Sequence, residues 1–432
     1  MAARPTKARI RSYNVGFGDC FLLTFFYAGD ETRNILIDFG STKQSEFGPK
    51  GKMLEIAETI AEHSGGKLDI VVATHRHADH ISGFAGKPGK VIAGLEPELV
   101  VQPWTEDPNI APDARAPVVA GAAGGAPAMV SRLANMQAVA AAVLVEIPRL
   151  EQSPSVRRSV REQLAFLGDT NIANAPAVEN LMTMGQRPAV YAHFGTQLPV
   201  ADLLPGVGVE VLGPPTLEQS AAITRQRATD PNEFWHLAGA SADATIQAGD
   251  SPPPLFADDA ISSQDIPQEA RWVIPEIERM RSEEMLAIVR SLDSALNNTS
   301  LILLFEVGDT RLLFPGDAQI ENWSYALFTA PEHEEIQKRL ADASFYKVGH
   351  HGSLNATPQS LWKLFEHRSD DPAPGRLATM VSTAADKHGH VEDRTEVPRA
   401  TLIAALEDLS DLHNTQNIRS TTEFWNDVEF DF

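Results

Sequence analysis

Apolar residues recur along this chain in two rhythms, one of strands and one of helices. Residues 8–40 carry the first: Cys20–Tyr27 is rich in Phe, Leu and Thr, and Asn34–Asp38 is a short apolar run bounded by Gly40 and Ser41. Ala28-Gly29-Asp30 between them has turn chemistry, so the two runs are predicted to form a hairpin. Met53, Leu54, Ile56, Ala57, Ile60 and Ala61 follow helical spacing, and Gly65-Gly66 ends that helix. Leu68–Ala73 reads as a buried strand running straight into Thr74-His75. Strand, helix and strand after an antiparallel opening predict a layered α/β protein.

The remainder is less regular. Glu98–Gln102 is a further short strand, and residues 116 to about 164 are rich in Ala, Val and Leu, which predicts two or more helices. Val207–Leu212 returns to strand character and stops at Gly213-Pro214-Pro215. Residues 216–270 are polar, contain Pro252-Pro253-Pro254, and are predicted to be a long loop or lid. A helix over 276–296 and strands at Ser300–Phe305 and Arg311–Phe314 follow. No repeat of fixed period is present.

At 432 residues the chain exceeds one average domain, so one large domain with insertions or two domains are expected. With 43% hydrophobic and 22% charged residues it builds a core and is not disordered as a whole. A net charge of −22 repels polyanions at long range and excludes a protein that coats duplex DNA. It does not exclude a small pocket in which bound metal supplies local positive charge. Cys20 is the single cysteine, so no intramolecular disulfide forms, which fits a reducing compartment. No apolar segment follows the basic N-terminal residues, and Phe21–Tyr27 is too short to span a bilayer. The expectation is a cytoplasmic protein without a membrane partner.

The densest chemistry is Thr74-His75-Arg76-His77-Ala78-Asp79-His80, an H-x-H-x-D-H pattern directly after an apolar strand. Neutral imidazoles and a carboxylate suit zinc or a similar divalent ion. In a loop leaving a strand end, side chains two apart converge on one ion, while Asp79 and His80 turn to a second. Solvated loop histidines are the plainer alternative, but three histidines and an aspartate in six residues rarely arise by accident.

This pattern resembles the signature of the metallo-β-lactamase superfamily. Other blocks extend the resemblance in family order, towards the hydrolase domain of ComEC-type competence proteins: Asn14-Val15-Gly16-Phe17-Gly18-Asp19, Ile35-Leu36-Ile37-Asp38-Phe39-Gly40, Asn298-Thr299-Ser300, Leu313-Phe314-Pro315-Gly316-Asp317, Val348-Gly349-His350-His351-Gly352-Ser353 and Gly389-His390. The membrane channel of those proteins has no counterpart here. The resemblance implies a four-layer αββα sandwich with a helical insertion forming a cap. Its halves would be residues 8–103 and 298–432, with 104–297 as a largely helical insertion containing a core strand near 207–212.

The resemblance also implies roles. His75 and His77 would hold a first metal, Asp79 and His80 a second, Asp317 would bridge both, and one of His350 and His351, with His351 favoured, would complete the second site. Asp79, Asp317, His350 and His390 would be catalytic, His350 by touching substrate and His390 by binding substrate or protonating a leaving group; for His390 an exposed loop histidine is the alternative. Asp38 and Asp19 would orient ligands, with turn or strand-end carboxylates as the alternative. The cofactors implied are two divalent ions, zinc first and manganese second.

Two departures accompany the resemblance. The separate histidine that usually completes the first metal is replaced by Asn298 and Ser300, with His193 and His236 as weak substitutes. And 237 residues separate His80 from Asp317, more than the compact family core needs. The excess, mainly 104–200 and 216–297, is expected to cap the pocket. Phe234 and Trp235 could line it or simply pack, and Arg157, Arg158 and Arg161 form its one tight basic cluster.

The activity implied is hydrolysis by a metal-bridging hydroxide, first of a phosphodiester in a small molecule, nucleotide or short nucleic acid. The alternatives are a two-metal hydrolase of a lactone, thioester, amide or phosphocholine-type ester, and a non-catalytic interaction module.

Overall fold

The computed structural model describes residues 3–109, 175–224, 295–355, 357–384 and 396–432, together with the isolated residues 116, 156, 160, 164, 282 and 286. Most of the expected cap, including nearly all of the helices expected over 116–164 and 276–296, its arginine cluster, His236, Phe234 and Trp235, lies outside the described residues, as does His390.

Two sheets face each other. The first has strand order β13-β1-β2-β3-β4-β5-β6, built from β1 (Lys7–Tyr13), β2 (Cys20–Phe26), β3 (Thr32–Phe39), β4 (Ile70–Val72), β5 (Leu99–Pro103), β6 (Val190–Ala192) and β13 (Trp425–Asp431). The second runs β12-β11-β10-β9-β8-β7, from β7 (Gly208–Gly213), β8 (Ile302–Val307), β9 (Thr310–Phe314), β10 (Phe345–Lys347), β11 (Ala378–Val381) and β12 (Asp411–Asn414). Each sheet opens antiparallel and continues parallel: β1, β2 and β3 alternate in direction while β3 to β6 run together, and β7, β8 and β9 alternate while β9 to β12 run together. The predicted hairpin is β2–β3. Its turn is tight because Gly29 (φ 78°) and Asp30 (φ 62°) both take left-handed backbone.

Side-chain alternation fixes the layers. Phe21, Leu23 and Phe25 of β2, Ile35 and Ile37 of β3, and Leu303, Phe305, Leu312 and Phe314 of β8 and β9 fill the space between the sheets. Cys20, Leu22, Leu36, Val71 and Val100 point the other way, onto helices α1 (Lys52–His63), α3 (Gly86–Ala93) and α4 (Ala175–Thr183). Leu304, Leu313 and Tyr346 do the same on the outer face of the second sheet, against the helices at Ile320–Ser324, His333–Ala341, Gln359–Leu364 and Ala400–Leu409. Both faces of the central strands are covered, which is why those strands read as unbroken apolar runs. The architecture is the α/β sandwich with two inner sheets and outer helices.

β1 is different. Ala8 and Ile10 face the core, while Arg9 and Arg11 face outward and pair with Glu429 (2.7 Å) and Asp427 (2.6 Å) of β13. The C-terminal strand therefore returns to the first sheet. β6 and β7 both come from the stretch 104–297, so that stretch contributes one strand to each sheet. Among the described residues no helix is long and apolar enough to cross a membrane.

Candidate metal centre

Chain segments that end or begin strands meet at one edge of the sandwich. Asp38 ends β3, Thr74 and His75 follow β4, Asp317 follows β9, Lys347 ends β10, and Ser382 follows β11. Asp19 precedes the antiparallel β2 and so arrives at the same edge. Carboxyl ends of parallel strands are where α/β sheets collect their ligands.

His77–His80 opens a one-turn helix, α2 (Ala78–Ile81), which aims Asp79 and His80 inward; both are buried. Three sets of buried side chains bring possible ligand atoms within 4.8 Å of one another: His75, His80 and Asp317; Asp79, His80 and His351; and Asp19, Asp38 and His80. His80 belongs to all three. Asp317 and His351, far away in sequence, thus meet the 75–80 loop.

The hydrogen bonds decide which ring nitrogen is free. His351 Nδ1 lies 2.8 Å from the Ser382 carbonyl oxygen, which only accepts, so Nδ1 carries the hydrogen. His351 Nε2 then faces Asp79 Oδ2 at 3.1 Å. His80 Nδ1 donates to Asp38 Oδ2 at 2.7 Å, and its Nε2 faces Asp317 Oδ2 at 3.0 Å. Asp38 is itself fixed by the Thr74 backbone N–H and hydroxyl, each at 2.7 Å. In both cases the imidazole is anchored at one nitrogen while the other meets a carboxylate oxygen. Two acceptors face each other there, and only a shared proton or a cation makes that contact favourable.

His75 Nε2 and His77 Nδ1 likewise converge at 2.8 Å, although His77 belongs to none of the three sets. His350 is turned away: its Nδ1 faces the Ser353 hydroxyl at 2.8 Å and its Nε2 lies 3.5 Å from Asn297 Nδ2, while its backbone N–H donates to Asp317 Oδ1 at 3.0 Å. Ser300 Oγ accepts from the Asp317 N–H at 3.3 Å. Asn298 is buried, with no hydrogen-bond partner for its carboxamide among the described residues. His193 sits apart, its Nδ1 on the Phe194 carbonyl.

Burial and charge oppose each other throughout. Burial lowers the basicity of His80, but Asp317 and Asp38 outweigh it and hold the pKa well above the usual imidazole range. His351 is raised in the same way, against burial, by Asp19, Asp317 and Asp79. His75 goes the other way, pushed well down by burial and by the neighbouring His80 and His77. Burial pushes the Asp79 carboxyl up, yet the His351 hydrogen bond and His80 hold it at about 2. Asp317 stays well below the carboxylate range despite burial, through His80 and Lys347. Asp38, by contrast, is raised, chiefly by burial.

The backbone is strained where the chemistry gathers. Asp38 (φ 55°), His350 (φ 43°) and His351 (φ 52°) all occupy the left-handed region that non-glycine residues rarely adopt. Each such residue costs on the order of 1 kcal/mol or more, and such strain clusters at functional sites.

Lys347 was not singled out by the sequence reading. Its ammonium is buried, contacts Asp19 Oδ2 and lies 3.4 Å from Asp317 Oδ1. A lysine ending an apolar strand two residues before Gly349-His350-His351 was the available signal. It also decides the third set: the carboxylate oxygen that Asp19 would offer a metal is already taken by the ammonium, and the Nδ1 of His80 by Asp38.

A divalent ion fits the other two sets. The donors are imidazoles and carboxylates, Asp79 Oδ1 is buried without a hydrogen-bond partner among the described residues, and four buried carboxylates (Asp19, Asp38, Asp79, Asp317) face one ammonium. That ammonium and protons on His80 and His351 are what offset these carboxylates, and a bound cation would replace the protons.

Residues 13–106 match the family model described as the metallo-beta-lactamase superfamily. The match spans Asp19, Asp38 and the whole H-x-H-x-D-H loop. Lys347, Asp317 and His351 lie beyond it and join through the fold. No curated protein matches the chain.

Proposed function

We propose that this chain is a metal-dependent hydrolase holding two divalent cations. His75, His77 and Asp317 would bind one; Asp79, His80, His351 and Asp317 would bind the other. The observation that carries this reading is the pair of anchored imidazoles, His80 on Asp38 and His351 on Ser382, each with its free nitrogen against a carboxylate. A carboxylate or carbonyl behind a histidine ring is the usual way a metal ligand is oriented. Bound divalent cations supply an acidified water at neutral pH and stabilise charge developing on the scissile group.

The chain's own residues do the rest. Asp38 and Ser382 hold the two rings in the tautomer that presents Nε2. Ser300 and the His350 N–H fix Asp317. The His350 ring, half-buried beside Ser353, would meet substrate.

For the substrate we favour a phosphodiester in a small molecule, nucleotide or short nucleic acid. The resemblance of Asn298-Thr299-Ser300 and His350-His351-Gly352-Ser353 to the ComEC-type hydrolase domain supports it, and the charge of −22 disfavours long duplexes. The test measures bound zinc and manganese, then assays wild type and His77→Ala on an activated phosphodiester and an activated lactone. Phosphodiester turnover lost in His77→Ala supports the proposal. Turnover of the lactone alone moves the substrate to the ester class, and metal-free, inactive protein removes the enzymatic reading.

Metal uptake should also release protons. The carboxylates around His80 and His351 raise the basicity of both rings and so favour a proton on each in the metal-free protein, which a cation must displace. Because both values are raised, protons compete more strongly as pH falls, so metal affinity should weaken on acidification. Calorimetry in buffers of different ionisation enthalpy is expected to find net proton release on metal uptake, increasing as pH falls. Uptake with no net proton release would contradict this pairing.

A further inference from the structure

The buried ammonium of Lys347 has three N–H groups and three acceptors around it: Asp19 Oδ2, Asp317 Oδ1 at 3.4 Å and the Gly316 carbonyl at 3.0 Å. The Phe21 ring, 6.0 Å away, covers another side. No donor is left over for a substrate, and at 2% exposure none reaches solvent. This lysine therefore acts on the protein itself.

Its effect falls on Asp317. Oδ1 of that carboxylate is taken by the Lys347 ammonium and the His350 N–H, whereas Oδ2 faces His80 Nε2 at 3.0 Å and His351 Nε2 at 3.8 Å. We propose that Lys347 is a positioning residue for the metal centre, clamping Oδ1 of Asp317 so that Oδ2 alone is presented between His80 and His351. The inference rests on the two-cation reading above. It assigns a specific task to a residue that the H-x-H-x-D-H pattern does not contain. A second sphere of this kind typically changes metal affinity by about 10–100-fold when removed.

A structural lysine that merely neutralises buried carboxylates would give different results. Lys347→Met alone leaves Asp19 buried without its cation and is expected to destabilise the fold. The informative variant is therefore Asp19→Asn combined with Lys347→Met. It removes one carboxylate and one ammonium together, so the pocket keeps its formal charge and no buried charge is stranded. Cobalt(II) serves as the probe, titrated into the full-length metal-free chain and followed by its visible absorption, which responds to ligand geometry rather than to turnover.

Asp19→Asn serves as the reference, because Lys347 still holds Asp317 there. The expected result is that the double variant shifts the band and binds cobalt about 10–100-fold more weakly. Asp19→Asn with Lys347→Gln, which restores an N–H donor, recovers part of the band. A double variant whose cobalt affinity and spectrum match those of Asp19→Asn overturns the clamp. A wild-type protein that takes up no cobalt instead overturns the metal centre on which the clamp depends.

Discussion

His80→Ala is expected to abolish turnover and to empty the metal centre. His80 is the one side chain shared by all three sets of clustered ligands. Its Nε2 faces Asp317 at 3.0 Å and its Nδ1 is held by Asp38 at 2.7 Å. Alanine removes a ligand of the cation proposed for Asp79, His351 and Asp317, together with the ring that faces Asp317, the ligand proposed to be shared by both cations. It also strands Asp38, already pushed up by burial, with only Thr74 as its partner. Metal-ion catalysis supplies several kcal/mol of barrier lowering, and each 1.36 kcal/mol is tenfold in rate, so a fall of about three orders of magnitude is expected. Metal content, measured by elemental analysis after gel filtration, should fall with it. His367→Ala, at a half-exposed histidine paired with Asp342, serves as the control and should change neither. If His80→Ala keeps its metal and stays within tenfold of wild-type turnover, the centre is elsewhere.

The parts of the proposed centre visible in the sequence are those whose side chains would act directly. His75, His77, Asp79 and His80 crowd one loop, so their chemistry shows without any fold. Asp317 and the pair at 350 and 351 are single residues, but each ends an apolar strand or sits in a glycine-flanked block, and that placement marks them. What stayed hidden depends on tertiary geometry. Ser382 acts through its backbone carbonyl, which every residue has, so its identity carries no signal. Lys347 looks like an ordinary strand-end lysine until β9, β10 and the loop before β2 place two carboxylates around it.

The fold divides along a similar line. Strands buried on both faces, such as β2, β4 and β8, give continuous apolar runs. β6 has three residues and β12 reads Asp411-Leu412-His413-Asn414, too short or too polar to register as periodic. β13 is an edge strand: Asp427 and Glu429 pair with Arg11 and Arg9, while Val428 and Phe430 on its other face are only partly buried against the core.

Gly40→Ala should be strongly damaging although Gly40 is not one of the proposed ligands. Gly40 follows Asp38 and Phe39 in the loop behind the site. A β-carbon there would lie 2.4 Å from the Asp79 carbonyl carbon and 2.4 Å from the His80 nitrogen. Both neighbours are backbone, so no side chain can swing aside. The clash falls on the two residues whose side chains enter the metal sets, and the same loop is tied by Gly40 N–H to the Asp19 carbonyl at 3.0 Å and by Asp19 N–H to the Asp79 carbonyl at 2.9 Å. A shift of α2 away from Gly40 would therefore carry Asp79 and His80 out of reach of His351 and Asp317. Overpacking of this sort costs about 3 kcal/mol, and the metal-free protein should melt earlier and bind metal more weakly. Gly65→Ala gives the comparison. Its φ of 63° makes alanine strained, but nothing lies within 4 Å of the added carbon. It should cost about 1 kcal/mol and leave metal binding unchanged. Equal metal affinity in the two variants would mean that the 79–80 backbone does not need Gly40 to stay where the ligands require it.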